Sequence, residues 1–213
     1  MTYQVVGTPR TGTTLLNHFS IHHNNNIGFN EFLSDDSRSE LQKDFQSYTI
    51  ADKFKYLKMN KEKDVHFSIK IFPYRLVSEG WEKDLLDYLK DYKILTIDRD
   101  PFDACISFCY QIHSKWKHSH RRDYKFGIVD PFNIESRIIK AYVEMYKFDK
   151  FFLDDMCGTY KCFNYEDLTI QNLQMFFDSD YIPSTQPINI DYQQYILNLK
   201  EVKETFYNEM HRA

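Results

Sequence analysis

The order of apolar and polar residues along the chain predicts strands that alternate with helices. Short apolar runs predict strands at residues 3–6, 65–71, 94–97 and 160–163, with a short extended segment at 27–32. Apolar residues spaced three or four apart predict helices at residues 13–22, 80–92, 168–177 and 196–210, with one or two more within 34–64. Asp100 and Pro101 have the residue types of a helix start, and Asn133 is predicted to cap a long helix that runs to about residue 153.

This alternation is typical of an α/β fold, in which helices cover both faces of a mainly parallel central sheet. The 213 residues suit a single domain spanning 1–213. In such sheets, ligands bind beyond the carboxyl ends of the strands. Gly7, Glu31, Lys70 and Arg99 lie at or just beyond predicted strand ends, so we expect the functional site at that edge.

The strongest chemical signal lies between the first strand and the first helix. A strand, a glycine-containing turn and a helix start direct unpaired backbone N–H groups at one point, where the helix dipole also favours negative charge. Arg10 adds a planar cation that suits phosphate or sulfate. The sequence therefore predicts an anion-binding loop, with a plain strand-to-helix turn as the alternative.

The glycine spacing limits which anion this loop binds. Gly7 and Gly12 stand five apart, as in the G-x-x-x-x-G-K-[ST] loop of nucleoside triphosphatases. The lysine of that loop, which reaches the terminal phosphates, is replaced here by Thr13. This replacement argues against ordinary triphosphate hydrolysis and leaves Arg10 as the cation of the loop.

A second candidate segment follows a later predicted strand. Arg99 leaves the strand end, and Ser107 lies about two turns into the next helix. An arginine and a hydroxyl at this spacing can hold a phosphate monoester. The alternative is an arginine paired with a neighbouring aspartate, Asp98, Asp100 or Asp103, beside a serine without a role.

Three motifs together resemble those of a known family. Pro9-Arg10-Thr11-Gly12-Thr13-Thr14 resembles the 5′-phosphosulfate loop of sulfotransferases, P-[RK]-[ST]-G-[ST]-T. The string R-D-P-x-D-x-x-x-S from Arg99 to Ser107 resembles their 3′-phosphate segment, and Tyr165-Glu166-Asp167-Leu168 is similar to their Y-E-D-L. Motif order and spacing also fit over residues 3–177. The chain thus resembles sulfotransferases that use 3′-phosphoadenosine 5′-phosphosulfate (PAPS), closer to compact bacterial and carbohydrate-type members.

The resemblance implies a three-layer P-loop fold and sulfuryl transfer from PAPS, with adenosine 3′,5′-bisphosphate as the product. It implies contacts to the 5′ end of PAPS from Pro9, Arg10, Thr11, Gly12, Thr13 and Thr14, and contacts to its 3′-phosphate from Arg99 and Ser107. One feature departs from the family pattern. Many members cover the 3′-phosphate and adenine with a late basic loop containing G-x-x-G, whereas residues 181–213 contain no glycine.

Glu31 is the predicted base that takes the proton of the acceptor hydroxyl. Cytosolic small-molecule members of the family carry a histidine after the second core strand, where this chain has Lys70 and no histidine. Carbohydrate-type members have a glutamate after the first helix instead. Glu31 has that place between Phe29 and Phe32, and an apolar setting strengthens a carboxylate as a base. A surface glutamate without a role is the alternative.

Arg10 and Lys70 are the predicted catalytic cations, because they stabilise the negative charge that develops during transfer. Backbone N–H groups and these cations make a metal unnecessary, so no metal site is expected. His22, His23 and His66 are alternative bases.

Composition and charge narrow the class of protein. The net charge of −4 gives no general attraction to nucleic acid or to an anionic membrane. No apolar run approaches 18 residues, which predicts no membrane span, and strand-like sequence from Tyr3 leaves no room for a targeting peptide. Four cysteines are no disulfide framework in a chain this long. We therefore expect a cytoplasmic protein with free thiols, in which Cys105, Cys109 and His113 pack on one helix face rather than bind zinc.

The stretch at residues 113–122 is strongly basic in an acidic chain. It predicts a lip that binds an anionic acceptor, with a solvated mobile loop as the alternative, and nucleic-acid sites use the same residue types. The acceptor and the oligomeric state stay open. Two further functions also stay open: a kinase-like P-loop phosphotransferase and a nucleotide-binding module without catalysis.

Overall fold

Five parallel strands form the central sheet of the computed structural model, in the spatial order β2-β3-β1-β4-β5. Their bounds are Tyr3–Val6 for β1, Gly28–Phe29 for β2, Ser68–Ile71 for β3, Lys93–Asp98 for β4 and Tyr160–Asn164 for β5. The structure describes residues 2–25, 27–33, 45, 47–113, 130–156, 158–183 and 191–212. Every predicted strand is confirmed, although β3 is shorter than the predicted stretch 65–71.

Helices cover both faces of this sheet, so the predicted three-layer α/β fold is confirmed. The helices are α1 Thr13–His23, α2 Ile50–Lys61, α3 Pro73–Ser78, α4 Glu82–Leu89, α5 Pro101–His113, α6 Ser136–Phe151, α7 Ile170–Phe177 and α8 Leu199–His211. Single 3-10 turns occur at Tyr165–Asp167 and Tyr192–Tyr195, and a π-helical turn, Phe152–Met156, follows α6. None of the helices in the described ranges is long and apolar enough to cross a membrane.

Alternate side chains of the strands face opposite helical layers, as the pleat of a strand requires. Val5 packs with Leu16 of α1 and Leu173 of α7 on one face. The next residue, Val6, joins the cluster that contains Leu85 of α4 on the other face. A third apolar cluster connects α5, α6 and α8. Because both faces of the sheet are covered, we expect a ligand site at the loops of the carboxyl edge.

The strand order places β1 at the point where the chain changes direction across the sheet. After β1 the chain builds β2 and β3 on one side, and then crosses to β4 and β5 on the other. The loops after β1 and β4 diverge at such a point and leave a crevice at the carboxyl edge. The loop that contains Arg10 follows β1, and Arg99 follows β4, so both candidate segments border this crevice.

The prediction that Asn133 caps the long helix is wrong. Phe132 forms a parallel bridge with Ile196, and its N–H donates to the carbonyl of Tyr195 at 2.9 Å. This extended pairing keeps the backbone out of the helical region, so α6 starts later, with Glu135 as its N-cap. Because of the same pairing, α8 begins at Leu199 and not at the predicted residue 196. The short helix α3 was not predicted, although its Pro at the first position is a common helix start.

A buried glutamine joins the two central strands beyond their backbone hydrogen bonds. The Gln4 side chain is fully buried; its Nε2 donates to the carbonyl of Phe67 at 2.7 Å, and its Oε1 accepts from the N–H of Ile69 at 3.0 Å. Since β1 and β3 each have only four residues, the two hydrogen bonds of this side chain add to a short backbone pairing.

We predict that Gln4→Leu lowers the free energy of unfolding by about 3 kcal/mol, because the buried N–H of Ile69 loses the glutamine oxygen and the carbonyl of Phe67 keeps only the longer hydrogen bond from the Tyr88 hydroxyl. Urea unfolding monitored by circular dichroism measures this loss. Gln171→Leu at an exposed position of α7 is the matched control and should change stability by less than about 0.5 kcal/mol. Equal effects of the two substitutions would contradict the role given to Gln4.

Candidate anion-binding site

The loop between β1 and α1 has the backbone of an anion cradle. Gly12 occupies the N-cap position with a left-handed φ of 95°, and none of the described side chains caps α1. The Thr11 hydroxyl donates to the carbonyl of Thr8 at 2.8 Å and closes the loop on itself. The first N–H groups of α1 therefore lie at the positive end of an eleven-residue helix, where an anion is favoured.

Gly12 is required here for space as well as for conformation. A Cβ at this position would lie 3.0 Å from Leu168 Cδ2 and 3.2 Å from the Tyr165 ring. Tyr165 and Leu168 belong to the Y-E-D-L motif that follows β5. The first and third of the sequence motifs are therefore in direct contact.

The second motif reaches the same loop through two arginines. Arg99 Nη1 donates to the backbone carbonyl of Arg10 at 2.6 Å, and Arg10 Nε donates to the hydroxyl of Ser107 at 3.1 Å. Arg10 has a left-handed φ of 72°, which is uncommon for a residue with a side chain. The Arg99 hydrogen bond holds that unusual backbone in place.

Tyr165 completes the contact between the motifs. The guanidinium of Arg99 lies 4.1 Å from the centre of its ring, a cation–π distance. Arg99 is therefore held by the ring and by Arg10, and not by an ion pair with Asp98, Asp100 or Asp103, which was the alternative from the sequence. Asp100 instead accepts from the N–H of Asp103 at the start of α5, the predicted capping role.

Lys70 links the loop to the predicted base. Its Nζ donates to the Thr14 hydroxyl at 2.9 Å and lies 2.6 Å from Glu31 Oε1. Lys70 is 5% exposed, so its charge is buried beside the start of α1, while the Glu31 side chain is 28% exposed. Lys70 lies inside β3, not beyond its end, and its side chain reaches across to α1.

The setting of Glu31 differs from the apolar one expected. The predicted neighbours Phe29 and Phe32 are buried and stacked with ring centres 4.5 Å apart, yet the carboxylate faces the Lys70 cation. Glu31 itself has a left-handed φ of 54°. Ion pairing to a buried lysine, and not phenyl rings alone, therefore governs this carboxylate.

A polar network beneath Glu31 was missed at the level of sequence. His18 lies one helical turn after Thr14 on α1, and its Nε2 is 3.1 Å from Asn30 Nδ2. The Asn30 Oδ1 accepts from Asn17 Nδ2 at 2.8 Å, which leaves Asn30 Nδ2 as the donor to His18. Burial, and then the charge of Lys70, lowers the pKa of His18 and favours the neutral ring. His18 follows Thr14 by four residues and so lies on the same face of α1, and this was the feature of the sequence that pointed to it.

The alternative bases lie elsewhere in the fold. His22 and His23 are at the C-terminal end of α1, where His22 stacks on Tyr181 with ring centres 4.4 Å apart. His66 precedes β3 and lies 3.2 Å from the Tyr92 hydroxyl. All three therefore lie at the amino edge of the sheet, away from the Arg10 loop.

The cysteines of α5 are packing residues. Cys105 and Cys109 are free and buried in the cluster between α5 and α6, and His113 stacks on Phe132. Across the described ranges, no group of three or more His, Cys, Asp or Glu side chains is placed to hold a metal ion. The basic stretch beyond His113, residues 114–122, lies outside the described residues.

No protein-family model matches the chain, and no curated protein sequence matches it either. Among solved structures, its fold is similar to that of a sulfotransferase from Alicyclobacillus acidocaldarius, with 17% sequence identity and a TM-score of 0.48. The alignment covers 99% of this chain and 96% of the other. This likeness concerns the fold alone.

We predict that Gly12→Ala destabilises the protein by about 1 kcal/mol more than Gly80→Ala does. Both glycines have a left-handed backbone, with φ of 95° and 88°, so both substitutions carry a strain of roughly 1 kcal/mol. Gly80 has open space around it, whereas Gly12 is crowded by Leu168 and Tyr165. Urea unfolding of the two variants isolates the crowding, and equal losses would show that the contact between the first and third motifs is loose.

Proposed function

We propose that the protein is a sulfotransferase that moves a sulfuryl group from PAPS to an acceptor hydroxyl. The observation that carries the proposal is the meeting of three separate motifs at one edge of the sheet. Arg99 donates to the Arg10 loop and stacks on Tyr165, and Gly12 packs against the same ring. The same three motifs carry the resemblance to PAPS-dependent sulfotransferases.

The residues present fit a donor with an acidic group at each end. Three cationic side chains, Arg10, Lys70 and Arg99, surround the start of α1. In the proposal, residues 9–14 hold the 5′ end through backbone N–H groups and hydroxyls, and Arg99 and Ser107 hold the 3′-phosphate. Gly12 brings the chain into α1 without a side-chain cap from the described residues, which leaves the first N–H groups of the helix to an anion.

PAPS supplies a sulfuryl group bonded to a phosphate leaving group. The acceptor oxygen forms a bond to sulfur, the bond from sulfur to the bridging phosphate oxygen breaks, and adenosine 3′,5′-bisphosphate leaves. Glu31 takes the proton of the acceptor hydroxyl. Arg10, Lys70 and the N–H groups of the loop stabilise the charge that develops on the bridging oxygen, so the proposed reaction needs no metal.

Lys70 gives the proposed base its position. Because its Nζ contacts both Thr14 and Glu31, the carboxylate is tied to the same helix start that holds the donor. A base in this position meets an acceptor that approaches along the β2–β3 side of the crevice. The acceptor is a carbohydrate or another small hydroxyl compound; an anionic acceptor remains part of the hypothesis through the basic stretch 113–122.

Two other functions remain as rivals. A kinase-like phosphotransferase needs magnesium and a loop lysine, whereas the loop position has Thr13. A binding module without catalysis would hold the nucleotide and leave the acceptor unchanged. A cytoplasmic location and a single domain over 1–213 stay predictions from the sequence.

We predict that adenosine 3′,5′-bisphosphate raises the melting temperature without magnesium, and that ATP with magnesium has little effect. At a ligand concentration one hundred times the dissociation constant, the stabilisation is about 2.7 kcal/mol. Arg99→Gln should remove most of this shift, because it removes a charge from the 3′-phosphate site. Arg137→Gln, an exposed arginine that pairs with Glu135, is the matched control and should keep it. Stabilisation by magnesium-ATP alone would favour the phosphotransferase.

We predict that Glu31→Gln reduces turnover by about 10²- to 10⁴-fold, the usual contribution of a general base, while bisphosphate binding stays within about twofold. The glutamine oxygen can still accept from Lys70, so the loop keeps its support. Transfer of labelled sulfate from PAPS to a panel of glycans, phenols, lipids and tyrosine peptides measures turnover. Glu79→Gln at the surface is the control, and unchanged turnover in Glu31→Gln would remove Glu31 from the mechanism.

A further inference from the structure

A buried carboxylic acid on α6 lies behind the anion-binding loop. Asp149 has no exposed surface, and its Oδ1 accepts from the N–H of Tyr74 in the first turn of α3 at 2.7 Å. Its second oxygen, Oδ2, is buried and has no hydrogen-bond partner of ordinary geometry among the described residues. The side chain of Thr8, the residue that follows Gly7, lies near enough to influence the carboxyl group.

The surroundings favour the uncharged acid. Burial raises the pKa of Asp149 to about 7, against smaller opposing effects from the Tyr74 N–H and the Thr8 side chain. An ionised carboxylate would keep one oxygen buried without a partner, which is costly. A proton on Oδ2 turns that unsatisfied acceptor into a donor and removes the buried charge.

A second side chain of α6 shows that this helix supports the loop. Tyr142 lies seven residues before Asp149, which places both on one face of the helix. The Tyr142 side chain is fully buried, and its hydroxyl donates to the carbonyl of Pro9 at 3.4 Å. Two buried polar groups of α6 therefore meet consecutive residues of the loop, Thr8 and Pro9.

We propose that Asp149 is a positioning residue that acts as an uncharged acid, holding the anion-binding loop against α3 and coupling anion binding to its own protonation. It contacts Thr8 and the backbone of Tyr74, and not the donor itself. The inference rests on the proposed function only in that it takes a phosphate group to be the ligand of the loop.

The direction of the pH effect follows from the raised pKa. Below about pH 7 the folded protein keeps Asp149 protonated, and the loop keeps its support. As the pH rises through about 7, a buried negative charge forms behind the loop and opposes a bound anion. By linkage, a bound anion raises the affinity of Asp149 for its proton.

The neighbouring ionisable groups do not provide a counter-charge. Tyr142 on α6 faces Asp149, and burial raises its pKa well above the ordinary value, so it stays neutral. α3 contributes Tyr74 and Arg75, and no charged side chain is among the causes of the Asp149 shift. Cys105 of α5 and Arg99 beyond β4 act on Tyr142 instead.

The first experiment measures the dissociation constant of adenosine 3′,5′-bisphosphate from pH 6 to pH 8.5 in the wild type and in Asp149→Asn. Asparagine copies the neutral acid in shape and can donate and accept. Dividing the two constants at each pH cancels the titration of the ligand and of other side chains. We expect the ratio to change by about tenfold across this range, with the wild type weaker at high pH. Glu144→Gln on the exposed side of α6 should follow the wild type.

A constant ratio near one would overturn the coupling. Weak binding by Asp149→Asn at every pH would overturn the uncharged form, because it would show that the loop needs a carboxylate.

The second experiment uses no ligand, so it separates this inference from the proposed function. Amide hydrogen exchange of the peptide covering residues 7–16, corrected for the intrinsic rate, is compared at pH 6 and pH 8.5. We expect the protection of this peptide to fall about fivefold in the wild type between pH 6 and pH 8.5, and to stay unchanged in Asp149→Asn. Equal loss in both would overturn the positioning role. If the wild type does not bind the bisphosphate, the proposed function is overturned. The hydrogen-exchange comparison would still decide the role of Asp149.

Discussion

The hydrogen bond from Arg99 to the carbonyl of Arg10 is the constraint on which the rest of the site depends. Arg10 has a left-handed backbone, which costs about 1 kcal/mol for a residue with a side chain, so a neighbour has to hold it. Arg99 does so, and its own direction is fixed by the ring of Tyr165. Because this conformation turns the chain from β1 into α1, it also directs the first N–H groups of the helix. One side chain beyond β4 thereby shapes the loop beyond β1.

The charged side chains around the loop are mainly positive, although the net charge of the chain is negative. The protein carries −4 overall, yet three cations converge on the start of α1, one of them nearly fully buried. A buried lysine is costly unless it is paired. Lys70 meets this condition with Glu31 and Thr14. The same pairing couples two roles: the residue proposed to stabilise charge on the donor also positions the residue proposed to take the proton of the acceptor.

The sequence predicted the layers of the fold and the elements that carry the site, because period-two and period-3.6 patterns report burial directly. It failed where a contact from elsewhere in the chain overrides local preference. Asn133 has the residue type of a helix cap, but pairing of Phe132 with Ile196 moves the helix start. Lys70 and His18 show the same limit inside the site. Their residue types and positions were visible, whereas the reach of the Lys70 side chain from β3 to α1 and the burial of His18 depend on packing.

Buried polar side chains help to hold the short strand β1 in place, whereas a longer strand is held by more backbone hydrogen bonds. β1 has four residues and is supported by buried side chains: its own Gln4 ties the strand to the segment leading into β3, while Tyr142 and Asp149 of α6 meet the loop that follows it. Such groups stabilise only while every partner is in place. A change in the protonation of one partner, or a ligand at the loop, therefore alters a backbone that local sequence alone does not hold. For this reason the loop geometry is a property of α6 and β4 as much as of residues 7–14.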